Sequence, residues 1–230
     1  MPNWCMTNYA VYPRKKENFN ELLRFYVDMS KGANNSFGGD EHVDPDNEGW
    51  FGNLFIAAGY KVRDGELRTY NLRGFETEVE LREGADPYVA IFVEMAWTPE
   101  FRGMGDMLSE KYPGLGFVME AEEPGCEVYI NTDVKGEFFP TKWRVEYEYF
   151  DFTDEFGKEH GGKSEGLYFN YDEEAKALSL IEELTGLKFK SMEEALEDES
   201  VLTEAFYKTH GTDAEKNGAY LSVNEFTDPY

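Results

Sequence analysis

Gly157-Lys158-Glu159-His160-Gly161-Gly162-Lys163-Ser164 fits the phosphate-cradling pattern Gly-x4-Gly-Lys-Ser letter for letter. That chemistry needs a buried strand before the loop, a helix after it to aim N–H groups at phosphate, and a later acidic strand end for magnesium. Here Asp151, Asp154 and Glu155 precede the loop, and the strand-like run Gly166-Leu167-Tyr168-Phe169 follows it. Gly157, Gly162, Lys163 and Ser164 therefore read as a hairpin tip rather than a nucleotide site. Asp44-Pro45-Asp46-Asn47-Glu48-Gly49 opens like a calcium loop, but its twelfth position, where a bidentate Glu belongs, is Phe55. A solvated acidic loop with at most incidental cation binding is expected there. His42, His160 and His210 have neither metal nor triad spacing, and each is expected at the surface. Cys5 and Cys126 offer no disulfide framework and no metal-ligand spacing, and Cys5 reads as a buried structural thiol. No catalytic residue, metal or cofactor is assigned.

The carboxylates are the stronger signal. Against 22 Lys and Arg stand 47 Asp and Glu, a formal charge of −25. Such a field repels nucleic acid and anionic membrane, since gripping phosphate takes Lys and Arg to release counterions. Direct nucleic-acid or membrane binding is not expected. Solubility, or a salt-adapted proteome, is the plain account of the charge. The sharper one is a decoy surface for proteins that normally grip DNA. Glutamates at i and i+2 on a strand stand about 6.8 Å apart, comparable to neighbouring phosphates. Glu76, Glu78 and Glu80 form one such row, Glu146 and Glu148 another, and Glu193, Glu194, Glu197, Asp198 and Glu199 add helical clusters.

The elements that must carry these rows follow from periodicity. A strand at 7–12 is followed by a helix from Asn18, with Phe19, Leu22, Leu23 and Tyr26 at helical spacing and Asn18 with Glu21 as a capping pair. Residues 50–60 read as a mostly buried strand. Residues 75–81 alternate strictly, which puts Phe75, Thr77, Val79 and Leu81 on a packed face and the three glutamates on the other. The apolar run 88–97 is a candidate central strand, followed by a helix capped by Thr98 with Pro99 first. Strands at 115–121 and 127–131 complete the first part. Beyond it come a strand at 143–149, a hairpin return at 167–171, a helix at 172–186, and a helical stretch from Ser191 with a break expected near 197–200. A short strand is expected at 220–223. Trp4, Trp50, Trp97 and Trp143 fall on strands or their ends and are expected in the core; any left exposed would mark an interface.

Strand–helix–strand twice over is the ferredoxin-like order. Pro2-Asn3-Trp4-Cys5, Ala96-Trp97-Thr98-Pro99, Tyr112-Pro113-Gly114-Leu115-Gly116-Phe117 and Glu123-Pro124-Gly125, in that order, resemble the YubB-like ferredoxin-like proteins of bacterial plasmids and phages. The resemblance covers residues 1–135. It departs at Thr7, where the family tends to have asparagine. It implies a fold and a mobile-element origin; the family carries no established activity to transfer.

The expected architecture is α+β: a ferredoxin-like antiparallel sheet with two packed helices over 1–135, then an acidic β-hairpin and two helices over 136–230. With 41% hydrophobic and 16% aromatic residues the chain is not disordered, and its longest apolar run is too short to span a membrane. No secretory leader is read, and a reduced cytoplasm is the default. The functional expectation is a non-enzymatic acidic interaction protein of a mobile element. It would bind a basic-surfaced host or defence protein, in the manner of a DNA mimic. The alternative is a small enzyme or ligand-binding domain using carboxylates in a cleft between sheet and C-terminal helices.

Overall fold

The computed structural model describes residues 3–34, 49–60, 70–153, 156–197, 199–210 and 218–230. It is a mixed α/β protein with antiparallel sheets, divided into two compact units: Met1–Asp133 with Asp228–Tyr230, and Val134–Thr227.

In the first unit, β1 (Trp4–Pro13), β2 (Gly74–Arg82), β3 (Tyr88–Ala96), β4 (Leu115–Glu123) and β5 (Val128–Asn131) form one sheet in the order β2-β3-β1-β4-β5. Every neighbouring pair is antiparallel. Helices α1 (Phe19–Ala33), α2 (Gly52–Ala57) and α3 (Phe101–Lys111) share one core with a single sheet face. The period-2 pattern decides which residues enter it. Tyr9 and Val11 of β1 and Val89, Ile91, Val93 and Met95 of β3 are buried among the helices. Trp4, Met6, Phe92 and Glu94 alternate onto the opposite, open face.

Three local expectations are corrected. Residues 50–60 hold the short helix α2 rather than a strand, because an unbroken apolar run does not by its periodicity distinguish a buried strand from a buried helix. The core stripe of α1 is Leu22, Phe25, Met29 and Gly32, while Phe19 is exposed and Asn18 makes no side-chain cap. Glu100, not Thr98, caps α3. Its carboxylate accepts the Gly103 N–H at 2.6 Å and also the Asn71 N–H, and its carbonyl accepts the buried Tyr9 hydroxyl at 2.9 Å. One glycine sets the helix spacing: a Cβ on Gly32 would lie 2.8 Å from the Asn53 carbonyl oxygen, so α1 and α2 meet backbone to backbone.

In the second unit β6 (Thr141–Tyr149) is the central strand, paired with β9 (Lys163–Asn170) and β10 (Tyr220–Glu225). The C-terminal strand thus turns the expected hairpin into a three-stranded sheet. β7 (Phe152–Thr153) and β8 (Glu159–His160) pair separately. Trp143, Val145 and Tyr147 pack with α4 (Glu174–Thr185), α5 (Met192–Leu196) and α6 (Glu199–Thr209). The helical stretch from Ser191 is two helices. Ser191 caps the first of them, its hydroxyl accepting the Glu194 N–H at 3.2 Å.

Candidate interaction surface

The strict alternation of 75–81 does not survive in the fold. A β-bulge falls between Phe75 and Glu78, and Glu76 there has φ 53°, in the left-handed region that L-residues with side chains seldom occupy. An earlier segment holds the bulge in place: the Phe51 N–H donates to the Gly74 carbonyl and the Thr77 N–H to the Gly49 carbonyl. The extra residue shifts parity, so Thr77 stays buried but Phe75 turns to the open face, 41% exposed. Gly74 occupies the inward position instead, where a Cβ would lie 2.5 Å from the Met95 sulfur.

On that face Phe75 meets Trp4, also 41% exposed, with ring centroids 6.2 Å apart and the rings 84° to one another. Their strands flank β3, and Ala96, directly opposite Trp4 in the register, is small enough to let the rings approach across it. Met6 is 46% exposed and Trp97 53% exposed. Trp97 sits at φ 77°, and its N–H donates to the Asn3 carbonyl at 2.9 Å. Two of the four tryptophans expected in the core are therefore at the surface. Trp143 is buried, and half-buried Trp50 donates its indole N–H to the Leu72 carbonyl.

Carboxylates interleave with these rings. One register row crosses the sheet as Phe75, Glu94, Met6, Glu122 and Tyr129, and the next begins Glu78, Phe92, Asn8. Glu94 is half-buried between Phe75 and Met6 and forms no ion pair among the described residues. Glu76, Glu78 and Glu80 are all exposed, yet the bulge separates Glu76 from the strand alternation, leaving Glu78 and Glu80 as a row of two. Glu80 also pairs with Arg82 at 2.7 Å. As both side chains are open to solvent, that contact holds little energy.

The second unit's candidates are more occupied. Glu146 lies 2.7 Å from the buried Arg144 guanidinium and accepts the Tyr220 hydroxyl at 3.1 Å. Glu148 is half-buried opposite Tyr220 and Ser164. Glu193 and Glu194 lie in the first turn of α5 and Glu199 in the first turn of α6, where negative charge offsets the helix dipole. Glu197 follows the end of α5 and is exposed. Asp198 lies outside the described residues, as do His42 and the acids of the 44–48 loop.

The glycine-rich stretch offers no helix N-terminus, since Lys163 starts β9 and its ammonium lies 3.0 Å from Glu165. A shallow cavity of about 410 Å³ at this tip is lined by Asp151, Phe152, Thr153, Glu159, His160 and Gly161. Its Asp151 carboxylate is engaged by the Gly162 N–H at 2.6 Å. His210, expected at the surface, is buried against Tyr149 and Phe206, its Nδ1 2.9 Å from the Phe206 carbonyl. Burial holds its pKa below the ordinary value. Burial raises the Cys5 thiol to about 11, which does not favour the thiolate a nucleophile needs. No group of metal-ligating side chains is assembled among the described residues, and none of their helices is long and apolar enough to cross a membrane. No family model, curated protein or solved structure matches the chain.

Proposed function

We propose that this chain is a non-enzymatic acidic interaction protein that binds a basic-surfaced protein through the open face of its five-stranded sheet. The observation that supports it is the exposed Trp4–Phe75 pair set among Glu94, Glu78 and Glu122 on one face. Aromatic rings at a surface mark contact sites, and interleaved carboxylates select a cationic partner. The strand order β4-β1-β3-β2 around two helical crossovers supports reading the first unit as ferredoxin-like. With the short motifs at Trp4, Trp97 and Pro124, it favours kinship with the YubB-like plasmid and phage proteins. A host or defence protein of the cytoplasm that handles DNA is then the fitting partner class, met by a carboxylate surface in place of phosphates.

The test is capture of partners from a bacterial lysate on the immobilised chain at low and at high salt. The expected result is retention of a Lys- and Arg-rich protein that weakens steeply as salt rises. Failure to retain any basic protein at low salt would remove the reading.

A further inference from the structure

We propose that Trp4, Phe75 and Glu94 form an anchoring pocket for an arginine side chain of the partner; this rests on the interaction role above and names the chemistry that would fill it. In an edge-to-face pair the contact itself covers neither face of the ring that gives its edge and one face of the other. The Trp4–Phe75 pair therefore has ring surface left for a third group, and both residues are 41% exposed. Glu94 is directly opposite Phe75 in the register. Residues so placed have Cβ atoms about 5 Å apart, close enough for one ligand group to touch both. Glu94 is half-buried on the flank of an aromatic pair, and no Lys or Arg among the described residues neutralises it. A cation placed there gains the ring quadrupole and a partly desolvated carboxylate together.

Planarity selects arginine over lysine. A guanidinium lies flat on a ring while presenting two parallel N–H groups to a carboxylate, whereas an ammonium is a point charge that does one or the other well. The neighbouring field has the matching sign, with Glu122 beyond Met6 and Glu78 on β2. Arg73 directly precedes β2, and its carbonyl accepts the Ala96 N–H at 2.7 Å. Its side chain is exposed and makes no ion pair among the described residues, so it opposes an incoming arginine without filling the pocket. Lipid headgroups and nucleic acid present phosphate to this face, and the same carboxylates repel it.

The experiment follows the Trp4 indole N–H resonance of the full chain while titrating a blocked peptide, Ac-Ala-Arg-Ala-Arg-Ala-amide, and its lysine counterpart. The Trp4 resonance should shift, with the arginine peptide several-fold tighter. Calorimetric titration of the same peptides, which needs no Trp4 signal, should show binding weakened about tenfold in Glu94→Gln and similarly in Trp4→Ala, while Trp4→Phe keeps a ring and most of the affinity. Glu183→Gln, an equal charge change at an exposed position of α4, should cost less than about twofold, and Arg73→Ala should tighten binding. Equal losses in Glu94→Gln and Glu183→Gln, equal affinity for the two peptides, or a silent Trp4 resonance would overturn the pocket. So would a concentration-dependent shift of Trp4 without peptide, which would assign the face to a second copy of the chain. Lysate capture that persists in Glu94→Gln and Trp4→Ala would leave the interaction role standing and remove only the pocket. Loss of capture by the unaltered chain would remove both.

Discussion

Trp4 and Phe75 touch edge to face at 6.2 Å although their strands are not neighbours, because β3 between them offers the small Ala96 opposite Trp4. The contact depends on the bulge at Glu76. Without the extra residue Phe75 would follow Thr77 and Val79 toward the core, and Trp4 would have no ring opposite it. An aromatic is thereby moved from interior to surface, which costs apolar burial. The exposed pair fits a contact surface better than it fits a device for stability.

Replacing Glu76 with glycine should stabilise the first unit. A left-handed backbone costs a side-chain-bearing residue roughly 1 kcal/mol, partly offset by the freedom glycine loses on folding. The expected gain is a few tenths to about 1 kcal/mol, read as a higher urea midpoint. A lower midpoint would show that the Glu76 side chain contributes more than its backbone strain removes.

Gly32→Ala should destabilise despite alanine's higher helix propensity. The propensity gain is about 1 kcal/mol. The new Cβ would face the Asn53 carbonyl oxygen at 2.8 Å and the Leu54 Cα at 3.0 Å, both backbone atoms that cannot rotate away. Overpacking of this kind costs about 1–3 kcal/mol, so a net loss of about 1 kcal/mol is expected in urea unfolding. A gain would mean that α1 and α2 separate freely.

Acid should weaken the second unit through His210. Burial holds the folded pKa below 6.5, so above that pH both states carry the neutral ring and its contribution is fully present. As pH falls from 6.5 through the lower folded value, the unfolded chain takes up the proton first and stability drops. His210→Phe should flatten this part of the pH–stability profile. An unchanged acid slope in the variant would assign it to other groups.

The two thiols should react in sequence. Cys126 is exposed, whereas Cys5 is fully buried with its thiol raised to about 11. Near pH 8 an aromatic disulfide reagent should modify one thiol per native chain promptly, and the second only on unfolding. Prompt modification of two would contradict the burial of Cys5 in β1.

Much of the fold was legible in the sequence. The apolar run around Ile91 marked an interior strand, although β1 and not β3 is the middle strand of the five; the alternation 143–149 gave β6, and Ser191 with Glu194 marked a helix start. The excess of 25 negative charges is a property of composition that folding does not alter. Residues 50–60 were illegible because a short apolar run is compatible with either buried helix or buried strand. His210 misled because its position after α6 resembles an exposed helix end, and only packing brings Tyr149 over its ring.

The candidate surface divides the same way. By itself the sequence determined which residues carry charge and which carry rings, and marked most of the strands that hold them. Tertiary structure alone decided that Phe75 faces out beside Trp4 and Glu94, and that Glu146 is paired with Arg144. The physical reason lies in the bulge at Glu76. It is held by the Gly49 carbonyl, which accepts from Thr77, and the Phe51 N–H, which donates to Gly74, both more than twenty residues earlier in the chain. Local alternation cannot register a parity change that a distant segment imposes.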